Sequence, residues 1–157
     1  MIYLFTIKWS HFRLLFTGYK IQLNSELGGL SFAQNEEGEW GYKPSGADAV
    51  IPFNKAGYTL PSFALGYGKD NASDMYLPMQ GIKKLSFHLR KGWYGAVYFT
   101  LIGDEGNKSI YTNATPSTPE ADINETFDKK YNYLRIQVNG INTNVADVKV
   151  SNFVAEG

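Results

Sequence analysis

The chain has 157 residues, enough for one packed core and too few for two full-sized domains. Fifteen basic and fifteen acidic side chains cancel, so no net field draws in nucleic acid, anionic lipid or an acidic substrate. The absence of cysteine excludes disulfides, thiolate metal sites and cysteine nucleophiles, fits synthesis in a reducing cytoplasm, and leaves packing as the source of stability.

The apolar start, Met1 to Phe16, is interrupted by Lys8, His11 and Arg13 and is followed by no small-residue cleavage site, so it does not read as a signal peptide. It is also shorter than the roughly 20 apolar residues of a membrane span, and no membrane insertion is expected. Ile2–Lys8 and Phe12–Leu23 are rich in β-formers, and Tyr19, Ile21 and Leu23 alternate with Lys20 and Gln22, which predicts strands. Gly28-Gly29 marks a turn before a short strand over Leu30–Ala33. Asn35-Glu36-Glu37-Gly38 then reads as a hairpin tip leading into Trp40 and Tyr42. From Gly46 to Gly81 the chain is rich in Gly, Pro, Asn and Asp, predicting loops with short strands around Ala49–Phe53 and Tyr58–Ala64.

The clearest alternation lies further on. Leu85, Phe87 and Leu89 share one face of Lys84–Arg90, and Val97, Phe99 and Leu101 oppose Ala96, Tyr98, Thr100 and Ile102, with Lys91-Gly92-Trp93-Tyr94 as the join. A polar reversal at Asp104-Glu105-Gly106-Asn107 leads into Ser109–Thr112, and the prolines of Thr115–Pro119 keep that stretch from pairing. Tyr133–Val138 and Val145–Val154 complete the pattern.

Many short strands separated by turn signals, with no room for a long helix, predict an all-β fold: an antiparallel β-sandwich of jelly-roll character. Residues 1–157 are expected to form a single domain, with an N-terminal hairpin or arm over 1–53 and the main sandwich over 54–157. The last hundred residues, closing on Val148–Val154, resemble in architecture the jelly-roll sandwiches of carbohydrate-binding modules.

Catalytic candidates are sparse. His88 lies between Phe87 and Leu89 and so falls on the polar face of its strand, where solvation is the simplest role; His11 sits at a turn. No Gly-x-Ser-x-Gly elbow and no phosphate-cradling glycine loop occurs. Glu36, Glu37 and Glu39 cluster at one turn and Asp104 and Glu105 at another; a glycosidase would need such carboxylates to face each other about 5–10 Å apart across a cleft. Asp70-Asn71-Ala72-Ser73-Asp74 offers oxygen ligands without the spacing of a calcium loop. No enzyme activity, cofactor or metal is expected. Sequons at Asn71, Asn107, Asn113 and Asn124 reflect loop composition in the absence of a secretion signal.

An aromatic side chain can stack on a sugar ring, whose apolar face and polar edge match an indole or phenol beside hydrogen-bonding groups. Trp40, Tyr42, Trp93 and Tyr94 are the glycan-binding candidates, with Tyr58 and Tyr67 behind them; the alternative is that Trp40 and Trp93 plug the sandwich or a subunit interface.

Trp40-Gly41-Tyr42 sets two aromatics on one face of an extended chain with a glycine between them. Pro44, Gly46 and Asp48 shape a turn, and Pro52 in Val50-Ile51-Pro52-Phe53 confines that segment to an edge or an interface. These residues resemble a segment of uncharacterised structural proteins of tailed bacteriophages and prophages of Gram-positive gut bacteria. The resemblance implies a non-enzymatic virion component, in tail, baseplate or head decoration, assembled in the bacterial host cytoplasm. Its expected partners are further copies of itself and other virion proteins. The competing expectation is a carbohydrate- or receptor-binding module that takes cell-surface glycan.

Overall fold

The computed structural model describes residues 12–14, 19–21, 26–27, 30–43, 46–66, 74–93, 95–139 and 147–157. These form strands β1 Phe12–Leu14, β2 Tyr19–Ile21, β3 Glu26–Leu27, β4 Leu30–Gln34, β5 Trp40–Lys43, β6 Ile51–Pro52, β7 Gly57–Leu60 and β8 Phe63–Gly66. They continue as β9 Asp74–Pro78, β10 Lys84–Lys91, β11 Ala96–Gly103, β12 Gly106–Asn113, β13 Glu120–Thr126, β14 Tyr133–Asn139 and β15 Asp147–Glu156. Among the described residues no helix is long and apolar enough to cross a membrane.

Two antiparallel sheets make the β-sandwich. Sheet I runs β13-β10-β15-β7, with β8 also paired to β15, and sheet II runs β12-β11-β14-β9. From β8 to β11 the chain alternates between the sheets, and of the turns that follow only β11–β12 is a hairpin within one sheet. The period-2 pattern decides what goes inside. Leu85, Phe87 and Leu89 of β10 face Val97, Phe99 and Leu101 of β11 and Leu134, Ile136 and Val138 of β14, all buried. Phe87 stacks on Phe99 across the sandwich, ring centroids 5.0 Å apart, and Phe153 lies 6.0 Å from Phe87 within sheet I. Burying each such side chain contributes about 1.5–3 kcal/mol.

Val150 and Phe153 both point inward although three residues apart, which a regular strand forbids. The register of β10 with β15 slips between Ser86 and His88, and Asn152 adopts φ 53°. This bulge inserts one residue and restores the inward face for Phe153 and Ala155. The free edges β12 and β13 are joined by an ion pair from Lys108 to Glu125, 3.2 Å, which also raises the lysine pKa.

A smaller sheet, β3-β4-β5-β6, holds the Trp40–Phe53 segment. Its tip is set as expected: Gly38 has φ 82°, its N–H donates to the Asn35 carbonyl, and the Asn35 carboxamide oxygen accepts from the Glu39 N–H at 2.8 Å. Pro52 lies on β6 at the sheet's edge, as its missing N–H requires. A run of rings connects this sheet to the sandwich: Phe32 to Phe53 at 5.9 Å, Phe53 to Tyr58 at 5.1 Å and Tyr58 to Phe153 at 5.9 Å. At the N-terminus β1 and β2 pair as a hairpin, Phe12 opposite Ile21, and β2 lies beside β9.

Three strands, β3, β9 and β13, arise where the sequence pattern predicts none, and the Tyr58–Ala64 strand is split at Pro61-Ser62 into β7 and β8. The expected strand over residues 2–8 and the Gly28-Gly29 turn lie outside the described residues.

Candidate functional site

The four aromatic glycan candidates separate. Trp40 and Tyr42 are buried, with 7% and 8% of their surface exposed, because β5 directs both toward the core where Phe32 pairs opposite Tyr42. Their expected role as sugar platforms is therefore corrected: neither ring presents a face to solvent. Tyr58 is also buried, its hydroxyl donating to the Pro78 carbonyl at 2.7 Å. Tyr94 and Tyr67 lie outside the described residues. Trp93 is 53% exposed.

Trp93 owes its placement to a residue that sequence reasoning put in a loop. Lys91 continues the inward row of Leu85, Phe87 and Leu89, and its side chain is 1% exposed. Its ammonium donates to the carbonyls of Gly92 at 2.9 Å, Ser117 at 3.2 Å and Trp93 at 3.5 Å, while its backbone N–H donates to the Pro119 carbonyl. A buried charge is tolerable only with such partners, and here they tie the 92–93 turn to the 115–119 loop. The signal was legible as position eight of an alternating strand.

Among the described residues the two acidic turns stand apart, one at the β4–β5 tip and one at the β11–β12 turn. Glu36 and Glu37, exposed at the β4–β5 tip, line an open cleft of about 490 Å³ with Lys43 and Asp48. Asp104 and Glu105 turn β11 into β12, and Asp104 accepts a hydrogen bond from the Asn132 amide at 3.0 Å. His88 stands on the outer face of sheet I, as its alternation predicts. Nδ1–H donates to Asp122 at 2.7 Å and Nε2–H to Glu120 at 3.2 Å, and these bonds raise its pKa above 6.5, Asp122 contributing most. Among the described residues no three His, Asp or Glu side chains are grouped to hold a metal ion. Residues 70–73 and His11 lie outside the described residues.

The outer face of sheet II brings together groups that the sequence reading did not join. Pairing aligns Thr112, Tyr98 and Gln137 in one outward row, Ser109, Thr100, Arg135 and Tyr76 in the next, and Ile102 and Tyr133 in the third, where Pro78 opposite Tyr133 is buried. Tyr76 and Tyr133 meet edge to face at 5.0 Å, and the Arg135 guanidinium lies 5.4 Å from the Tyr76 ring centre. Tyr76, Tyr98, Tyr133, Arg135 and Gln137 are all half-buried. Four strands and three rows cover about 14 Å in each direction. The resulting surface carries three phenol rings, a guanidinium already engaged with the Tyr76 ring, and a carboxamide, all held on strands. Its signal in the sequence is the alternation Tyr133-x-Arg135-x-Gln137.

No family model matches this chain, and no curated protein matches it. Among solved structures it is similar to a family 29 carbohydrate-binding module mutant complexed with mannohexaose, with 16% identity, TM-score 0.41, and coverage of 60% of this chain and 69% of that one. A mutant complexed with cellulohexaose gives 14% identity, TM-score 0.40 and coverage of 63% and 76%. A structure described as a carbohydrate-binding module of family 29 gives 14%, 0.39, and 63% and 74%. The sandwich assignment itself rests on the strand pairing above.

Proposed function

We propose that this chain is a non-catalytic carbohydrate-binding β-sandwich module whose platform is the outer face of sheet II. The observation that carries this reading is the set of three outward rows holding Tyr76, Tyr98 and Tyr133 beside Arg135 and Gln137. The phenol faces suit the apolar side of a sugar ring, and the guanidinium and carboxamide reach its hydroxyls, so few polar groups set orientation on a largely aromatic surface. Strand positions hold these groups with little freedom to lose on binding. Trp93, exposed on its anchored turn beyond the Tyr98 end of the sheet, is a further contact of the same kind.

Affinity electrophoresis and calorimetry against a panel of cell-surface and wall polysaccharides test the reading. Tyr98→Ala and Gln137→Ala are each expected to weaken binding about tenfold, roughly 1.4 kcal/mol. Unchanged affinity in both variants, or no binding to any polymer, overturns it.

A second reading, a virion component of a tailed phage, rests on the resemblance of the Trp40–Phe53 segment. Ile51, 42% exposed on the edge strand β6, favours it by offering an apolar contact for another subunit. Location in a particle and association with other virion proteins belong to this proposal. Light scattering over a concentration range should then give a defined oligomer that Ile51→Lys dissociates, and a monomer at every concentration counts against it.

A further inference from the structure

A second concavity begins where the platform ends. Beyond the row formed by Tyr133 and Pro78, the turns 79–83 and 127–132 enclose an open cleft of about 500 Å³. Its polar lining residues are Lys83, Lys129, Lys130, Asp128, Gln80 and Asn132, and behind Asn132 a second carboxylate, Asp104, accepts from its amide at 3.0 Å, so three ammonium groups face one lining carboxylate and one that is already hydrogen-bonded. This concentrates positive charge in a chain whose net charge is zero.

The walls are fixed relative to each other. The Met79 N–H donates to the Asn132 carbonyl at 2.9 Å, and the Phe127 N–H to the Lys83 carbonyl at 2.7 Å, so the two turns are stitched at both ends. Lys83 in turn donates its N–H to the Glu156 carbonyl at 2.7 Å, and Ile82 closes its turn on Met79. Phe127 and Tyr131, packed edge to face at 5.5 Å, make a buried floor. Charges that converge over low-dielectric walls hold a counter-ion better than the same charges on an open surface.

We propose that this cleft receives the acidic group of an anionic glycan, a uronate or a phosphate-bearing sugar, whose chain continues over sheet II. The proposal rests on the platform reading for the chain and on the cleft alone for the acid. The lysines supply compact, multidirectional donors suited to carboxylate or phosphate oxygens, and the amides of Gln80 and Asn132 serve neighbouring hydroxyls.

The test is a titration of isotope-labelled protein followed by amide chemical shifts, with a galacturonate oligomer, inorganic phosphate and a neutral manno-oligosaccharide as probes. The galacturonate oligomer is expected to move the amides of 79–83 and 127–132 together with those of Tyr98, Arg135 and Gln137. Combined Lys129→Ala and Lys130→Ala substitution should weaken it about tenfold and flatten its salt dependence while sparing the neutral probe. Both lysines are exposed, so the variant should fold. A response to phosphate at the cleft alone would assign the acid as phosphate, and a response to galacturonate alone as carboxylate. Cleft amides unmoved by either acidic probe overturn the proposal even if the neutral sugar shifts the platform. Cleft amides that respond while the platform is silent to every sugar leave the anion site standing and remove the platform reading.

Discussion

His88 and Lys91 lie three residues apart on β10 and meet opposite electrostatic fates. His88 faces outward between two carboxylates that accept from both ring nitrogens, an arrangement only the imidazolium can satisfy fully. Its folded pKa is raised, so its contribution to stability is complete below the unfolded value of 6.5 and is lost as pH rises through the folded pKa. Observed by NMR, the ring should titrate above 6.5 in the wild type and closer to it in Asp122→Asn; a wild-type midpoint at or below 6.5 contradicts the geometry. Lys91 faces inward and spends its charge on carbonyl oxygens. Lys91→Met keeps the apolar stem but strands those carbonyls, and a loss of about 1–3 kcal/mol is expected in urea unfolding, with a red shift in Trp93 fluorescence as the turn loosens. Unchanged stability and emission would show that the carbonyls find other partners.

Among the elements, β5 and β6 depend on a contact only glycine allows. A Cβ on Gly41 would collide with the Ile51 carbonyl and lie 2.7 Å from the Pro52 Cα, both backbone and unable to yield. Gly41→Ala is expected to detach β6 and cost about 1–3 kcal/mol. Hydrogen exchange should report it first at the Phe53 amide, which donates to the Trp40 carbonyl at 3.0 Å. Retained protection there would disprove the close approach. The strands missed from sequence have an equally local cause. Strand β13, Glu-Ala-Asp-Ile-Asn-Glu-Thr, is a polar edge whose less exposed face carries Ala121, Ile123 and Glu125, the first two packed on the core, so composition alone resembles a loop. Seven consecutive pairs with β10 make it a strand. Strand β9 follows a Gly- and Asp-rich stretch, and its pairing with β14 gives Met75 and Leu77 their buried side.

At the scale of the whole molecule, the stacked pair Phe87 and Phe99 sits where the two sheets meet. Phe99→Ala should destabilise the fold by about 3–5 kcal/mol, measured as a lower urea midpoint with unchanged slope. A change below 1 kcal/mol would mean that the sheets do not pack through this pair. The sequence by itself determined the class of fold and which side chains share a face, because period-2 alternation is a local property of each strand: Leu85, Phe87 and Leu89 stand opposite His88, and Val97, Phe99 and Leu101 stand opposite Tyr98 and Thr100, while the packing of the two sheets decided that the second trio turns inward. The sequence also showed that Trp40 and Tyr42 share a face and that Pro52 belongs at an edge. Only the tertiary structure decided that this shared face is buried, since burial depends on what packs against a strand. Strand order likewise decided that Tyr76, Tyr98, Tyr133, Arg135 and Gln137, up to 61 residues apart along the chain, stand on one surface. Register between distant strands is set by the fit of the whole core, and no local pattern in the chain records it.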